Sequence, residues 1–443
     1  MDQKIYGKGR ALRGELTVPG DKSISHRALM LSALTEGETR IRGFLYGADC
    51  ISTIRCLREM GVSIESREGE SGPELLLRGV GLRGLRAPER ILDCGNSGTT
   101  MRLLSGLLSA QRFDSVLSGD ESIRRRPMGR VIRPLTEMGA DIFSERGDGR
   151  APLHIHGRAL RGISYESPLA SAQVKSAILL AGLYAEGESR VIEPGLSRDH
   201  SERMLRSLGV PIESRTLFNG RTEIRLRPVE RLASFPNPLF IPGDISSAAY
   251  FLTAALIVPG SELLLRNVGT NPTRDGILEV YRSMGGDISS ERNRIIAGEE
   301  VSDLRVRHSK LHGTTISGAL IPRLIDELPV IAAAAAAAEG ETLIKDAADL
   351  RQKESDRISA VAEGLRALGV SVEEREDGMR ILGQGEKLSL REAEIDSRGD
   401  HRIAMSFAVL GLLEEPGSFL RIHGSDCIRI SYPDFFSDFE KIC

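Results

Sequence analysis

The sequence predicts an α/β protein of two similar domains, in which apolar helices are buried behind walls of β-sheet. Three observations lead to this prediction: the length of 443 residues with 40% hydrophobic content, a pattern of loop, apolar helix and strand that recurs six times, and a match between the two halves of the chain. A chain of this length exceeds what one hydrophobic core usually serves. We therefore expect a separate core in each half.

The recurring element is an apolar helix that begins at a short polar or glycine-rich loop and returns about every 75 residues. Segments such as "AILLAGL" and "VIAAAAAAA" are apolar nearly all round, which indicates burial on every side of the helix. The six helices are predicted to begin near Ser23, Gly98, Ser171, Ser246, Asp326 and Asp400.

A second helix follows each of the first five and ends on a glycine. The five endings are "LREMGVSI", "LTEMGADI", "LRSLGVPI", "YRSMGGDI" and "LRALGVSV". Glycine accepts the left-handed conformation that closes many helices, and the alternating residues after it indicate a strand. The repeat is therefore predicted to be strand, helix, strand, helix, strand, with the charged face of the second helix outside.

The domain boundary is predicted from the closest internal match, "VPGDKSIS" at Val18 against "IPGDISSA" at Ile241. Both contain a Pro-Gly pair, which is typical of a break between elements. We interpret them as paired hinge strands at which the chain crosses between domains. The predicted domains are a discontinuous one, residues 1–20 plus 242–443, and a continuous one, residues 21–241.

Charge and composition exclude several classes of partner. The formal net charge of -3 gives no bulk attraction to nucleic acid or to a membrane surface. The longest apolar run, Val330 to Ala338, is too short to span a bilayer, and the start "MDQKIYGKGR" has no apolar signal core. The five cysteines show neither paired spacing nor histidine partners, so we expect no metal site and a reducing, cytoplasmic location.

The loop "PGDKSISHRALMLSAL" predicts a binding site for an anion. Lys22 and Ser23 stand at the start of an apolar helix, whose unpaired N–H groups attract negative charge. Arg27 lies one turn further on, and an arginine on a buried helix needs a partner of opposite charge. The alternative is that these residues only cap the helix.

Other loops add candidates of the same chemistry. "DCGNSGTTMR" places Asn96 and Gly98 at a second helix start, and "RRRPM" supplies Arg126, since arginine binds carboxylate and phosphate in forked contacts. "KESDR" and "GDHRIAM" carry further charged residues, and a carboxylate at Asp326 precedes the most apolar helix, where it costs energy unless it is partnered or functional. Solvated charge runs and surface ion pairs are the alternatives for the arginine triplet and for "KESDR".

Together these motifs resemble the EPSP synthase family, the 3-phosphoshikimate 1-carboxyvinyltransferases, over nearly the whole chain. The matching stretches, in the family's order, are "PGDKSISHRA", "GNSGTTMR", "RRPM", "SAQVKSA", "SRDHSE", "KESDR" and "GDHRIAM". The resemblance implies two domains, each of three inverted βαβαββ units, with the active site in the interdomain cleft. It also implies transfer of the enolpyruvyl group of phosphoenolpyruvate to the 5-hydroxyl of shikimate 3-phosphate, with release of phosphate, by a monomer without metal or organic cofactor.

Carried over motif by motif, the resemblance assigns residues to each substrate. Shikimate 3-phosphate is expected to contact Lys22, Ser23, Arg27, Ser171, Gln173, Arg198, Asp326 and Lys353. Phosphoenolpyruvate is expected to contact Lys22, Asn96, Gly98, Arg126, Gln173, Arg357 and Arg402. Because family members with glycine at the position of Gly98 tend to accept glyphosate, the resemblance also implies inhibition by that compound.

The catalytic residues implied by the resemblance are Lys22, Asp326 and Glu354. Our hypothesis is that Asp326 helps to deprotonate the hydroxyl, Glu354 exchanges a proton with C3 of the enol, and Lys22 assists the departure of phosphate. The sequence leaves the order of these acid and base roles open. One departure from the family pattern is Ile430, where some members have a lysine that contacts phosphoenolpyruvate; Arg429 is adjacent.

Three other readings compete. The sister enolpyruvyl transferase for a uridine-diphosphate sugar usually has a cysteine in a mobile loop, and the stretch from Ser115 to Met128 contains none. A binding protein with the same cleft would bind shikimate 3-phosphate without turnover. An RNA-processing cyclase has related repeats but would need ATP-dependent chemistry, for which the sequence shows no signature.

Overall fold

The structure, a computed structural model, describes residues 2–7, 9–69 and 72–442. The strands are β1 (Gln3–Tyr6), β2 (Arg13–Thr17), β3 (Glu36–Arg42), β4 (Ser63–Gly69), β5 (Gly72–Val80), β6 (Leu92–Asp93), β7 (Asp114–Ser118), β8 (Asp141–Ser144), β9 (Leu153–His156), β10 (Ser164–Glu166), β11 (Ser189–Glu193), β12 (Ile212–Thr216), β13 (Thr222–Leu226), β14 (Leu239–Phe240), β15 (Glu262–Gly269), β16 (Asp287–Ile296), β17 (Glu299–Arg307), β18 (Thr315–Ile316), β19 (Glu339–Ile344), β20 (Ser371–Arg375), β21 (Gly378–Gln384), β22 (Glu394–Asp396) and β23 (Phe419–His423).

The helices are α1 (Lys22–Leu34), α2 (Ala48–Glu59), α3 (Gly98–Ser109), α4 (Glu121–Arg125), α5 (Gly129–Glu137), α6 (Ala172–Gly182), α7 (His200–Ser207), α8 (Ile245–Ile257), α9 (Gly276–Ser283), α10 (Ile321–Leu324), α11 (Leu328–Ala337), α12 (Arg357–Ala367), α13 (His401–Leu410) and α14 (Phe435–Lys441). Short 3-10 helices lie at Gly318–Leu320, Ala348–Gln352, Gly385–Lys387, Gly411–Leu413 and Ser425–Ile430.

The strands within the described ranges form six small sheets, which repeat one topology. Their strand orders are β14-β3-β5-β4, β6-β7-β9-β8, β10-β11-β13-β12, β2-β15-β17-β16, β18-β19-β21-β20 and the three-stranded β22-β23-β1. In each sheet the first two strands are parallel. In four sheets a buried helix joins these two strands in sequence, whereas β14 and β3, and β2 and β15, are far apart in the chain. In the five larger sheets the remaining two strands complete a βαβαββ unit, so the predicted fold is confirmed.

The chain divides into two compact units, which we call the C unit and the N unit. The C unit consists of Met1–Pro19, Pro242–Ile295 and Glu300–Cys443, and the N unit of Gly20–Ile241 and Ile296–Glu299. Each has its own cluster of buried apolar side chains. The C unit takes β1 and β2 from the start of the chain, whereas β14 completes the first sheet of the N unit.

The two units differ from the predicted boundaries, 1–20 plus 242–443 and 21–241, at Gly20 and at residues 296–299. Residues 296–299 group with the N unit although they lie within the stretch predicted for the other domain. The buried carboxylate of Glu299 accepts a hydrogen bond from His200 Nδ1 at 2.9 Å, and Arg203 Nη1 donates to the Gly298 carbonyl at 2.8 Å. Ala297 packs against the apolar core of the N unit. These contacts explain why the tip of the β16–β17 hairpin groups with the N unit.

The six apolar helices are buried as the sequence predicts, and polar residues cap five of them. The caps of α1, α3, α6, α8 and α13 are Asp21, Ser97, Ser171, Asp244 and Asp400, whose side chains accept hydrogen bonds from first-turn N–H groups. In the sixth, α11, a proline stands in the first turn and every residue from Leu328 to Ala336 is buried. These five side chains therefore do cap their helices, as the alternative to ligand binding predicted.

The second helices end on glycines, as the sequence predicts. Gly61, Gly139, Gly209, Gly285 and Gly369 all have φ between 81° and 95°. An L-residue with a Cβ atom is strained in this region, so glycine is what allows each chain to turn from helix into strand.

Candidate active site

Arg27 is the centre of a polar site in the N unit. Its side chain is 4% exposed. Nε donates to Ser201 Oγ at 2.7 Å, Nη2 to Ser176 Oγ at 2.8 Å and Nη1 to the Ser23 carbonyl at 2.9 Å. The guanidinium therefore ties α1 to α6 and α7 through neutral oxygens, and within the described ranges no carboxylate forms an ion pair with it. Burial lowers the pKa of Arg27 to about 10.

A buried cation held by hydroxyl and carbonyl oxygens is a natural site for an anion. Arg198 adds a second positive charge nearby and lowers the pKa of Arg27, whereas the charges of Glu202, Asp21 and Glu299 raise it. The amides at the start of α1 surround Ser23, and one of them is bound by the Asp21 carboxylate, since Ile24 N–H donates to its Oδ1 at 2.8 Å.

Lys22 begins α1 and forms an ion pair with Asp49, a residue of α2. The lysine side chain remains 20% exposed, whereas that of Asp49 is 9% exposed. The ammonium group is thus held at the entrance of the helix by an acid from the neighbouring helix.

A second polar group surrounds Gly98 at the start of α3. Arg126 Nη2 donates to Asn96 Oδ1 at 2.8 Å. A Cβ atom on Gly98 would lie 2.8 Å from Arg102 Nη1 and 3.5 Å from Arg126 Nη1. The missing side chain therefore leaves room for two guanidinium groups at this helix start.

Arg102 connects this group to α6. Its Nη1 donates to Gln173 Oε1 at 2.5 Å, and Gln173 Nε2 donates to Thr99 Oγ1 at 3.0 Å. Sequence analysis missed Arg102 as a site residue. The signal was available, because Arg102 lies one turn into an apolar helix, as Arg27 does.

Ser171 caps α6 and is held by a buried acid. Its N–H donates to Glu193 Oε1 at 2.9 Å. Lys175, fully buried on α6, lies 3.0 Å from Glu193 Oε2 and 2.7 Å from Glu202 Oε1. Burial lowers the pKa of Lys175, but the two carboxylates raise it by more, so the lysine stays charged. Sequence analysis also missed this ion-pair group, which we call the Lys175 triad.

The C unit contains a different kind of site, built around Arg357. This arginine is 1% exposed. Nε lies 2.8 Å from Asp400 Oδ2, Nη2 lies 2.6 Å from Glu354 Oε2 and Nη1 lies 3.2 Å from Asp326 Oδ1. One guanidinium thus holds three carboxylates from three separate segments. Burial lowers the pKa of Arg357, but Asp400 and Glu354 raise it by more, and the net shift is upward.

Lys353 and Arg402 complete this group. Lys353 Nζ lies 3.6 Å from Asp326 Oδ1, and Arg402 Nη1 donates to the Asp326 carbonyl at 2.9 Å. Desolvation lowers the pKa of Arg402, while Asp326, Tyr250, Glu327 and Asp244 together raise it by more. Asp326 is therefore surrounded by three cations, whose contacts hold it in a fixed position.

The structure thus brings the predicted residues together in two groups, each within one unit. Lys22, Ser23, Arg27, Asn96, Gly98, Arg126, Ser171, Gln173 and Arg198 belong to the N unit, and Asp326, Lys353, Glu354, Arg357 and Arg402 to the C unit. Arg429 is exposed at the end of a 3-10 helix, and Ile430 is half-buried beside it.

The part of the chain that the structure describes contains neither a metal-binding cluster nor a membrane-spanning helix. Between residues 2 and 442, apart from the gaps at 8 and 70–71, no cluster of His, Cys, Asp and Glu side chains is arranged to hold a metal ion. In the same ranges no helix combines the length and apolarity needed to cross a membrane.

Comparison with known proteins agrees with this architecture. The solved enolpyruvyl transferase NikO from Streptomyces tendae aligns with 99% of the chain at a TM-score of 0.76 and 17% identity, which shows a shared fold, and 96% of that chain is covered. The solved EPSP synthase from Acinetobacter baumannii aligns with a TM-score of 0.87 and 45% identity over 100% of this chain and 98% of that one. The fold and its paired polar groups define a protein of the enolpyruvyl transferase type.

The chain belongs to the EPSP synthase (3-phosphoshikimate 1-carboxyvinyltransferase) family, whose model matches residues 7–439. A relative of that name from Geobacter metallireducens is 53% identical over 442 residues, which covers 100% of this chain and 99% of that protein. Another from Pelobacter propionicus is 53% identical over 436 residues, 98% of this chain and 97% of that protein. The predicted family is confirmed, and the chain is an enzyme of the transferase class that acts in the shikimate pathway.

Proposed function

We propose that the two polar groups act on one pair of substrates, and that the chain transfers the enolpyruvyl group of phosphoenolpyruvate to the 5-hydroxyl of shikimate 3-phosphate. The observation that carries this proposal is Arg27, a buried cation whose partners are neutral oxygens. A phosphate would place a negative charge in direct contact with the guanidinium. The reaction joins two molecules that each carry a phosphate and a carboxylate, so fixed cations must offset their repulsion before a bond can form.

The site for shikimate 3-phosphate is proposed to centre on the N unit. Ser23, Arg27 and Arg198 would hold the phosphate, and Ser171 and Gln173 would contact phosphate or hydroxyl groups. Glu193 supports this assignment, because its carboxylate binds the Ser171 N–H and fixes the start of α6. On the C unit side, Asp326 and Lys353 would contact the hydroxyl groups of the shikimate ring.

The site for phosphoenolpyruvate is proposed to use Lys22, Asn96, Gly98, Arg126 and Gln173 together with Arg357 and Arg402. The space left by the missing Cβ atom of Gly98 lies beside the guanidinium groups of Arg102 and Arg126, so a small dianion could contact both the backbone and the cations. Glyphosate, an anionic phosphonate, would compete for the same place.

The chemistry is proposed to proceed by addition and elimination. Asp326 takes the proton of the attacking hydroxyl, which adds to C2 of the enol, while Glu354 gives a proton to C3. Glu354 then removes a proton from C3 of the tetrahedral intermediate, and phosphate leaves with the help of Lys22. Arg357 supports these roles, because its guanidinium holds both carboxylates in place within 3.2 Å.

The overall reaction is tested by measuring phosphate release from phosphoenolpyruvate with and without shikimate 3-phosphate. We expect release only when both substrates are present, and folded protein that releases none would refute the proposal. Arg27→Gln should abolish the stabilisation of the protein by shikimate 3-phosphate in a thermal melt.

The catalytic acids are tested by Asp326→Asn and Glu354→Gln. We expect each substitution to lower kcat by about 10²-fold or more, as is typical for loss of a general acid or base, while shikimate 3-phosphate still binds in calorimetry. Glu363→Gln is the matched control, since Glu363 is an exposed acid paired with Arg398. Near-normal turnover in either test variant would remove that residue from the mechanism.

A monomeric state and a cytoplasmic location stay predictions of the sequence. Light scattering of the purified enzyme at several concentrations tests the first, and fractionation of producing cells tests the second.

A further inference from the structure

A continuous chain of buried side-chain hydrogen bonds crosses three helices of the N unit. His26 Nδ1 and Thr53 Oγ1 are 2.7 Å apart, Thr53 Oγ1 and Thr100 Oγ1 are 2.7 Å apart, and Thr100 Oγ1 donates to Ser97 Oγ at 2.7 Å. All four residues have no exposed surface. We call this set the buried relay.

The two ends of the buried relay lie at the two helix starts that carry the proposed substrate contacts. His26 is on α1, directly before Arg27 and one turn after Lys22. Ser97 caps α3, directly before Gly98, and accepts the Thr100 N–H at 3.1 Å. None of the four side chains has a role in the proposed chemistry.

Helix α2 supplies the middle of the buried relay and touches both helix starts. Thr53 lies on α2, and one turn earlier Asp49 pairs with Lys22. The carbonyl oxygen of Asp49 lies 3.4 Å from Thr100 Oγ1. The α2 segment from Asp49 to Thr53 therefore contacts the start of α1 and the start of α3.

The direction of the hydrogen bonds follows from counting protons. Thr100 has one hydroxyl proton, and Ser97 Oγ at 2.7 Å is a closer acceptor for it than the Asp49 carbonyl at 3.4 Å. With that proton given to Ser97, Thr53 donates to Thr100. The hydroxyl proton of Thr53 is then used, so His26 Nδ1 must carry a proton and donate to Thr53. Burial, Lys22 and Arg27 lower the pKa of His26 well below its ordinary value of 6.5, so the imidazole is neutral and has this single proton.

We propose that His26, Thr53 and Thr100 are positioning residues that fix the distance between the start of α1 and the start of α3. Through this distance they set how shikimate 3-phosphate at α1 meets phosphoenolpyruvate at α3, a role that rests on the proposed function. Side-chain hydrogen bonds in a dry interior have narrow ranges of length and angle, so one broken bond releases one helix start relative to the other.

The decisive variants are Thr53→Val and Thr100→Val, which keep the shape of the side chain and remove the hydroxyl. Ser105→Ala is the matched control, because Ser105 is equally buried on α3 but bonds only to its own helix, at the Met101 carbonyl 2.8 Å away. We expect the two valine variants to lose about tenfold in kcat/KM for phosphoenolpyruvate, a change that Ser105→Ala does not produce. Their KM for shikimate 3-phosphate should stay within about twofold of that of the parent enzyme.

Two further comparisons separate positioning from simple stabilisation. The double variant Thr53→Val/Thr100→Val should have a kcat/KM no lower than that of either single variant, because one substitution already breaks the buried relay. Thr53→Ser and Thr100→Ser keep the hydroxyl and should have nearly normal kinetics, even where the lost methyl group lowers stability. His26→Asn, which can still donate from its amide, should be faster than His26→Leu.

The outcomes are distinguishable from a failure of the proposed function. If the parent enzyme turns over and both valine variants match Ser105→Ala in kinetics, the inference is wrong and the relay only satisfies buried polar groups. Additive losses in the double variant would also contradict it. If the parent enzyme releases no phosphate from the two substrates, the proposed function itself fails, whatever the variants do.

Discussion

Arg27 and Arg357 are both buried arginines, but they have opposite surroundings. Arg27 contacts hydroxyl and carbonyl oxygens, whereas Arg357 contacts three carboxylates. The charge of Arg27 thus has no carboxylate in direct contact, and Glu202, Asp21 and Glu299 offset its desolvation only in part, whereas direct contacts compensate the charge of Arg357. The second arginine should therefore contribute more to stability than the first.

This contrast predicts effects of different size for the same substitution. Because desolvation lowers the pKa of Arg27 to about 10, Arg27→Met removes a poorly solvated charge together with its hydrogen bonds, and we expect the ligand-free free energy of unfolding to change by about 1 kcal/mol or less. Arg357→Met leaves buried acids unpaired and should lower it by about 3 to 5 kcal/mol. Urea unfolding measures both. A loss of stability in Arg27→Met as large as that in Arg357→Met would contradict the assignment of Arg27 to an anion site.

Gly98→Ala should weaken binding of small dianions at the start of α3. The new methyl group would meet Arg102 Nη1 at 2.8 Å, so that guanidinium must move. We expect the inhibitory concentration of glyphosate to rise by about tenfold or more, which corresponds to a loss of about 1.4 kcal/mol in binding free energy. The KM for phosphoenolpyruvate should rise by less. Inhibition assays at fixed shikimate 3-phosphate measure this.

Gly129→Ala is the control for Gly98→Ala. A Cβ atom on Gly129 would meet nothing within 4 Å, so this substitution should leave inhibition unchanged. Equal inhibition of the parent enzyme and Gly98→Ala would exclude a close approach of the inhibitor to this position.

At the residue scale, helix starts could be predicted and side-chain partners could not. Ser and Asp before an apolar run predict a cap, and Arg27 inside such a run predicts a buried charge, because both depend only on neighbours in sequence. The partners of Arg27, Ser176 and Ser201, are 149 and 174 residues away. No local pattern selects them, and the same is true of His26, Thr53 and Thr100.

The Lys175 triad acts at the scale of elements, because it joins α6, β11 and α7. Lys175 is on α6, Glu193 ends β11 and Glu202 is on α7. Glu193 in turn holds the N–H of Ser171 and the hydroxyl of Ser197. The triad therefore fixes the loops that carry Ser171 and Arg198.

Lys175→Met should destabilise the enzyme by about 3 to 5 kcal/mol, because two buried carboxylates lose their cation. Burial raises the pKa of Glu202 above its ordinary value of 4.5, although the charge of Lys175 partly lowers it. Loss of the lysine should therefore raise the pKa of Glu202 further. When the pKa of a carboxyl group is higher in the folded than in the unfolded protein, the free energy of unfolding decreases as pH rises through these pKa values. The deficit of the variant should thus be larger at pH 8 than at pH 5, as measured by urea unfolding.

Two companion variants check the reasoning on Lys175. Lys175→Met/Glu202→Gln should recover part of the lost stability, because one buried charge is removed. Lys310→Met removes a lysine that is 78% exposed and paired with Glu386, and it should leave the free energy of unfolding nearly unchanged. A deficit of Lys175→Met that does not change with pH would show that packing, not charge, causes it.

At the element scale, periodicity predicted the helices well and the shortest strands poorly. The apolar helices and the glycine that ends each second helix follow from local composition, and the structure confirms them. Strand β14 has two residues and is defined only by pairing with β3 far away in sequence. Such pairing is a property of the assembled sheet, which a local pattern does not encode.

The molecule as a whole contains two hydrophobic cores, and the core of the C unit includes residues from both ends of the chain. Strands β1 and β2 stand at the start of the chain but pair with β23 and β15 of the C unit. Ile5, Leu12, Leu16 and Val18 are buried in the core of that unit. The start of the chain is therefore part of a domain whose other residues come after Ile241.

Deletion of residues 2–17 should damage the C unit and spare the N unit. Without β1 and β2, strands β23 and β15 lose a neighbour, and the apolar residues beneath them are exposed. Hydrogen exchange should show faster exchange in β15 and β23, with β7 of the N unit protected as an internal control. Equal loss of protection in both units would contradict the division of the core.

The pairing of β2 with β15 has a consequence for how the protein is made. Leu12 N–H donates to Ser261 Oγ, a partner 249 residues away. A ribosome that adds roughly 5 to 20 residues per second needs about 12 to 50 seconds to cover that distance. During this time nearly all residues of the N unit core are synthesised, while β2 has no β15 to pair with. Chaperones that bind emerging apolar segments should therefore find this stretch accessible long after synthesis has passed it.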